Sequence, residues 1–207
     1  MYSQNNEEEI ILKYFSSNSY EKGTVLSIGE NDGKTLSNSL ALIERGWSGI
    51  LVEPDPGVFA KCVALHGDNR NVQCVNAAVG PVKGKQKFWS SGSLLGTGDM
   101  SLVSTLDPEE LKRWEAARIP FREMEVDVIT TEDLIDMLPA HQCFDFISID
   151  AEGYDFLILT QIDLDRVGCN LICVEWNGKN FEQYDDYITG FGFRLIHSNQ
   201  ENLIYGR

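Results

Sequence analysis

Carboxylates recur in this chain beside glycines and at the ends of apolar runs, where a reaction could use them. Gly29-Glu30-Asn31-Asp32-Gly33 sets two acids inside a turn bounded by glycines. Such glycines allow a tight turn and let the backbone approach a ligand closely. Glu53-Pro54-Asp55 follows, about 20 residues past the turn, the spacing at which a carboxylate accepts hydrogen bonds from both hydroxyls of an adenosine ribose. Asp55 fits a helix cap better, which leaves Glu53 for the ribose. Together the two features predict a nucleoside ligand. A dinucleotide would need G-x-G-x-x-G to seat its pyrophosphate on a helix N-terminus. Asn31 and Lys34 occupy the two later glycine positions, and Glu30 and Asp32 crowd the turn. Those acids repel a pyrophosphate but suit a ligand carrying an ammonium and a sulfonium. The residues therefore favour S-adenosylmethionine over NAD.

Further along, Asp150-Ala151-Glu152 and Glu175-Trp176-Asn177 each follow an apolar run. Asp150 and Glu152 are the candidate catalytic residues, placed to accept a proton from a substrate hydroxyl. Four oxygen-bearing side chains along one edge (Asp150, Glu152, Glu175 and Asn177) could also bind Mg²⁺. That is the lesser reading, and the metal assignment stays open. His66, His141 and His197 have no metal-ligand spacing and read as surface or capping residues. No Ser/His/Asp nucleophile set is apparent from spacing.

Alternating strand and helix patterns position these residues. Glu8 to Phe15 reads as a helix with Ile10, Ile11, Tyr14 and Phe15 inward, and Thr24 to Ile28 as a strand. A helix with Leu36, Leu40 and Ile43 on one face runs to about Arg45. The strand Gly49 to Val52 precedes a helix marked by Val58, Cys62 and Leu65, and Val72 to Val79 reads as a third strand. After a strand at Gln86 to Trp89, Ser90 to Gly98 is a Gly/Ser-rich loop expected near a ligand. Asp107-Pro108 opens a helix to about Arg118. Phe121 to Ile129 is a strand, and Thr131-Glu132-Asp133 starts a short helix. Phe144 to Ile149 and Leu171 to Val174 are buried strands around a helix at Asp155 to Leu159. The helix Phe181 to Ile188 leads to a hairpin of Phe193 to His197 and Asn202 to Tyr205. The pattern predicts an α/β fold, a mostly parallel sheet with helices on both faces and a C-terminal antiparallel hairpin, in one domain spanning residues 1–207.

Composition narrows the partners. Acidic residues outnumber basic ones 32 to 17, for a net charge of −15, so neither nucleic acid nor a membrane surface is an expected partner. Lys83, Lys85 and Lys87 alternate along a short strand and read as a solvated edge. The five cysteines never form C-x-x-C; four lie in strand-like runs and Cys62 on a helix, which predicts buried, reduced thiols. With no signal-like N-terminus and no long apolar run, a cytoplasmic protein is expected.

Val25 to Gly33, Ser37-Asn38, Gly46-Trp47-Ser48-Gly49, Val52-Glu53-Pro54 and Phe144 to Gly153 resemble the FkbM-type S-adenosylmethionine-dependent methyltransferases, the last run matching their "D-x-E-G" strand. Tyr2-Ser3-Gln4 with Glu7-Glu8 is similar to the family's N-terminal element. The resemblance runs from Gln4 to about Asn177. It implies a class I methyltransferase sheet of seven strands, with Gly29, Glu30, Asn31 and Gly33 along the methionine moiety, Glu53 on the ribose and Asn76-Ala77 by the adenine. The chain departs from the family at Ser27, where members usually carry an acid that helps hold the methionyl ammonium; Glu30 or Asp32 is the expected substitute. The implied activity is O-methylation of a hydroxyl on a small molecule or sugar, with the helix around Trp114 and the loop before Met100-Ser101 as acceptor wall and lid. An NAD-dependent oxidoreductase, or a non-catalytic partner-binding domain of the same fold, for which Ser27 is the main support, is the alternative.

Overall fold

The computed structural model describes residues 1–92, 101–139 and 142–207. The expected lid loop therefore falls mostly outside the described residues, as does His141. In chain order the elements are α1 (Glu7–Ser17), β1 (Thr24–Ile28), α2 (Leu40–Ile43), β2 (Ser48–Val52), α3 (Pro56–His66), β3 (Val72–Val75), β4 (Ala78–Val79) and β5 (Gly84–Ser90). There follow α4 (Glu110–Arg113), a 3₁₀ turn (Glu115–Ala117), β6 (Arg122–Ile129), α5 (Thr131–Asp136), β7 (Phe146–Ile149), α6 (Asp155–Leu159), β8 (Leu171–Glu175), α7 (Phe181–Thr189), β9 (Arg194–Ser198) and β10 (Asn202–Gly206).

Seven strands form one sheet in the order β3-β2-β1-β7-β8-β10-β9. The first five are parallel, and β10 runs antiparallel to both of its neighbours. β1, β7 and β8 are buried along their whole length, as continuously apolar strands covered on both faces must be. Leu26, Ile28, Ile147, Ile149, Ile172 and Val174 fill one face together with Leu134, Ile158 and Ile188 from α5, α6 and α7. Val25, Phe146, Leu171 and Cys173 alternate to the other face, against Ile11 and Phe15 of α1 and Trp47. The strand order reverses between β1 and β7, and the crevice beyond the carboxyl ends at such a reversal is where ligands bind in this architecture. This is an α/β fold, a mostly parallel sheet with helices on both faces and an antiparallel pair at one end. Among the described residues no helix is long and apolar enough to cross a membrane.

Several sequence expectations need correction. The run expected as one strand from Val72 to Val79 splits: β3 extends the large sheet, whereas β4 pairs with β6 in a separate sheet of order β4-β6-β5. Asn76 causes the break, because its amide donates to the carbonyls of Glu53 and Pro54 and ties the chain there. α2 is a single turn, and Leu36 stands outside it with φ +58 and an exposed side chain. Ser37 competes with the helix by accepting the N–H groups of Ser39 and Leu40 on its hydroxyl. In α3 the buried partner of Val58 and Cys62 is His66, not Leu65, so His66 is not a surface residue. The helix expected from Asp107 to Arg118 breaks at Trp114 into α4 and the 3₁₀ turn. Cys143 and Cys169 lie ahead of β7 and β8 rather than within strands, and Cys74 and Cys143 are only half-buried. The lysine edge holds for two of its three residues: Lys85 and Lys87 on edge strand β5 pair with Glu125, Asp127 and Glu123 across on β6, whereas Lys83 precedes the strand and pairs with Asp133.

Gly29, just past β1, leaves no room for a side chain. Its φ is +80, and a Cβ built there would lie 1.7 Å from the carbonyl oxygen of Asp150. That close approach lets the β1 and β7 ends converge on the crevice. Gly29→Ala should destabilise the protein by about 2 kcal/mol or more in chemical denaturation; a wild-type midpoint would show that the two strand ends are not locked together here.

Candidate active site

Three strand ends are bound to one another at the crevice. The N–H groups of Gly29 and Glu30 both donate to Val52 O, at 2.9 and 3.0 Å, and Asp150 N donates to Ile28 O at 2.9 Å. Asn31 takes a left-handed conformation (φ +59) that aims its N–H at Glu53 Oε2, 3.0 Å away. Asp55 N donates to Glu53 Oε1 at 2.7 Å. Glu53 is thus held by two backbone donors while buried. Burial pushes its pKa up to about 8, and nearby Asp55 and Asp150 add to the rise against the two N–H groups. Asp55 caps α3 through Gly57 and Val58, as the sequence suggested, and also accepts the hydroxyls of Ser90 and Ser101. Burial opposes its ionisation, but those donors prevail and its pKa is lowered.

Glu30 turns into a cradle of hydroxyls. Ser37 and Ser39 donate to its carboxylate at 2.7 and 2.9 Å, and nearby Ser27 also favours its ionised form. Burial still raises its pKa. The hydroxyl at position 27 therefore serves a carboxylate that arrives from three residues later. Asp32 does not share this place. Its carboxylate accepts the N–H groups of Lys34 and Thr35 and the Thr35 hydroxyl, so it closes its own loop. Gly33 (φ +79) lies against the His66 ring, whose Nε2 is 3.1 Å from Gly33 O.

The second cluster sits at the ends of β7 and β8. Carboxylate oxygens of Asp150, Glu152 and Glu175 all lie within 4.8 Å of one another. Glu152 has φ +45 and Gly153 φ +102, and Asp155 holds this strained turn by accepting the N–H groups of Ala151 and Gly153 at 2.7 and 2.9 Å. Arg113 Nη1 is 3.3 Å from Glu110 and 3.4 Å from Glu152, while its Nη2 donates to Asn177 Oδ1 at 2.9 Å. Lys179 pairs with Glu110 at 2.8 Å. Burial, reinforced by the mutual repulsion of the acids, pushes Asp150 up to about 7 and Glu152 and Glu175 well above the carboxylate range. The spacing D-A-E-G-Y-D could have revealed Asp155, an acid two residues past a glycine that answers the turn's own amides. Arg113 carried no local signal, because it reaches the cluster only through the placement of α4.

One cavity of about 280 Å³ joins the two clusters. Gly29, Glu30, Asn31, Glu53, Ala77, Asp150 and Glu152 line it, together with Ser27, Glu175 and an apolar wall that includes Phe88, Leu106 and Trp114. Asp32, Gly33 and Asn76 are not on its wall; they support the backbone behind it. Among the described residues, three buried side-chain polar atoms lack a hydrogen-bond partner: Asn38 Oδ1, Trp114 Nε1 and Glu175 Oε2. All three belong to residues lining this cavity. Native proteins rarely leave such groups unanswered, so their concentration here points to a bound molecule.

The fold is similar to the METTL16 MTase domain, with TM-score 0.50 and 10% identity over 97% of this chain and 65% of that one. It is similar to the putative methyltransferase yhhF from Escherichia coli, with TM-score 0.50 and 11% identity over 100% of this chain and 88% of that one. At these identities the likeness shows the fold, and this chain spans just under two thirds of the METTL16 domain. No curated protein matches the sequence significantly. A family model described as the methyltransferase FkbM domain matches residues 27–195, and the chain belongs to that family of methyltransferases.

Proposed function

We propose that the protein uses S-adenosylmethionine to methylate a hydroxyl group on a small molecule or sugar. The observation that carries this reading is the pair of buried carboxylates, Glu30 and Glu53, that flank the Gly29 turn and face one cavity. When bound, the cofactor supplies a methyl group on a positively charged sulfur. Glu53, already fixed through both oxygens by backbone N–H groups, presents its remaining lone pairs to the ribose hydroxyls. Glu30 offers the negative charge that a methionyl ammonium needs, and Ser37 and Ser39 fix its direction. This relocated acid answers the Ser27 departure and weakens the case for a non-catalytic domain. The residues fit the group on two further counts. The glycine turn brings the β1 and β7 ends together at the cavity, and the Asn38 and Trp114 orphans offer one acceptor and one donor. Two acids at the turn disfavour the pyrophosphate of NAD.

Methyl transfer to oxygen needs alignment, exclusion of water and removal of one proton. Trp114, Phe88 and Leu106 form an apolar wall for the acceptor, and Asp150 and Glu152 stand where the hydroxyl proton can go. Their raised basicity suits that task. With a wall bearing Glu30, Glu53, Asp150, Glu152 and Glu175 against Arg113, the cavity selects neutral or cationic acceptors over phosphorylated ones.

Glu53→Ala should weaken S-adenosylhomocysteine binding by about 1.5–3 kcal/mol, the worth of hydrogen bonds to a charged group, without unfolding the chain. The same residue makes affinity depend on pH. Below about 8 its carboxyl is protonated in the free protein, so binding of the ribose diol to the carboxylate must release a proton. Affinity measured by calorimetry should rise by up to about tenfold per pH unit from pH 6 and level off above that pKa. A flat profile would show that no proton leaves Glu53 on binding. With a labelled methyl donor and a panel of hydroxylated acceptors, Asp150→Asn and Glu152→Gln should each lower turnover by about 10²–10⁴-fold while cofactor affinity stays nearly constant. Full activity in both would leave orientation alone as the mechanism.

A further inference from the structure

Proton transfer uses at most two of the three carboxylates at the ends of β7 and β8. Glu175 is the group it leaves over. Its side chain is 7% exposed, its Oε2 has no hydrogen-bond partner, and it lines the cavity beside Asp150 and Glu152. An unanswered buried carboxylate oxygen is costly. The charges around it do not answer it. Asp155 is occupied by the amides of Ala151 and Gly153, and Glu110 by Lys179 and Arg113. Among the described residues Arg113 is the one cation paired with the triad, at 3.4 Å from Glu152, and its other nitrogen is taken by Asn177 Oδ1.

We propose that Asp150, Glu152 and Glu175 form a binding site for a hard divalent cation of the Mg²⁺ class, open on the cavity side. All three ligands offer oxygen, the donor such ions prefer, and their oxygens already lie within 4.8 Å of one another. An ion about 2.0–2.2 Å from each would draw the three oxygens closer, to roughly 3–4 Å apart. Few carboxylates and an open face suit an ion that keeps several water ligands. One of those positions is then free for the acceptor's oxygen, whose proton the ion would make easier to remove. A carboxylate that ligates through one oxygen keeps the other for that proton. Only this chemical use of the ion rests on the methyl-transfer reading; its binding does not.

The test is a titration of the full chain with Mn²⁺, followed by the electron paramagnetic resonance signal of the free ion, with S-adenosylhomocysteine binding measured on the same samples. The wild type should show one Mn²⁺ site from which Mg²⁺ displaces the ion. Glu175→Gln, and independently Glu152→Gln should the first variant not fold, should weaken that site by roughly tenfold or more. Absence of a stoichiometric site, or the same affinity in a folded variant, overturns the proposal whether or not the nucleoside binds. A Mn²⁺ site lost in the variants, in a protein that ignores S-adenosylhomocysteine, upholds the ion and defeats the methyl-transfer reading instead.

Discussion

A carboxylate removed from water needs donors or a counter-charge, and this protein buries Glu30, Glu53, Glu152 and Glu175 along a single edge of its central sheet. The desolvation involved would neutralise unassisted groups. The surrounding architecture is arranged around that burden. Glu53 is bracketed by the N–H groups of Asn31 and Asp55, Glu30 by the hydroxyls of Ser37 and Ser39, and Glu152 by the edge of a guanidinium. Even so, the pKa values of all four rise. The edge is held short of charge balance, which costs folding stability and leaves it suited to a cationic ligand.

Holding these groups requires backbone that ordinary residues resist. Gly29 and Asn31 take positive φ so that one turn can reach both β2 and β7. Glu152 takes positive φ because Asp155 has claimed the amides on either side of it. Such strain persists only where packing over-determines it. Here the fully buried strands β1, β7 and β8 do so, with Leu26, Ile147 and Ile172 packed in their interior. The apolar core and the acidic edge are thus two ends of the same strands, one stabilising the fold and the other spending part of that gain on a site.

Much of this was legible in the chain, for identifiable reasons. β1 and α6 fall on their expected residues because strand and helix periodicities there meet no competing side chain. Glu53 could be found because the β1-to-β2 unit fixes its distance from the glycine turn. What stayed hidden depends on tertiary placement. Asp32 and Glu30 are indistinguishable by type, and only the Ser37 and Ser39 hydroxyls decide which one faces the cavity. Asn76 looked like a wall residue, yet its amide is consumed by the carbonyls of Glu53 and Pro54. His66 read as a surface or capping residue, but Gly33, with no side chain of its own, gives its ring a place to bury. Arg113 belongs to a helix whose early break at Trp114 no periodicity announces.

The central claim is that the Gly29 turn with Glu30 and Glu53 receives a sulfur nucleoside rather than a dinucleotide. Melting the protein with S-adenosylmethionine, with S-adenosylhomocysteine and with NAD tests it most directly. A ligand present at 100 times its dissociation constant stabilises the fold by about 2.7 kcal/mol, which a melting scan resolves. The account predicts an upward shift with either sulfur nucleoside and none with NAD. A shift with NAD alone would contradict it.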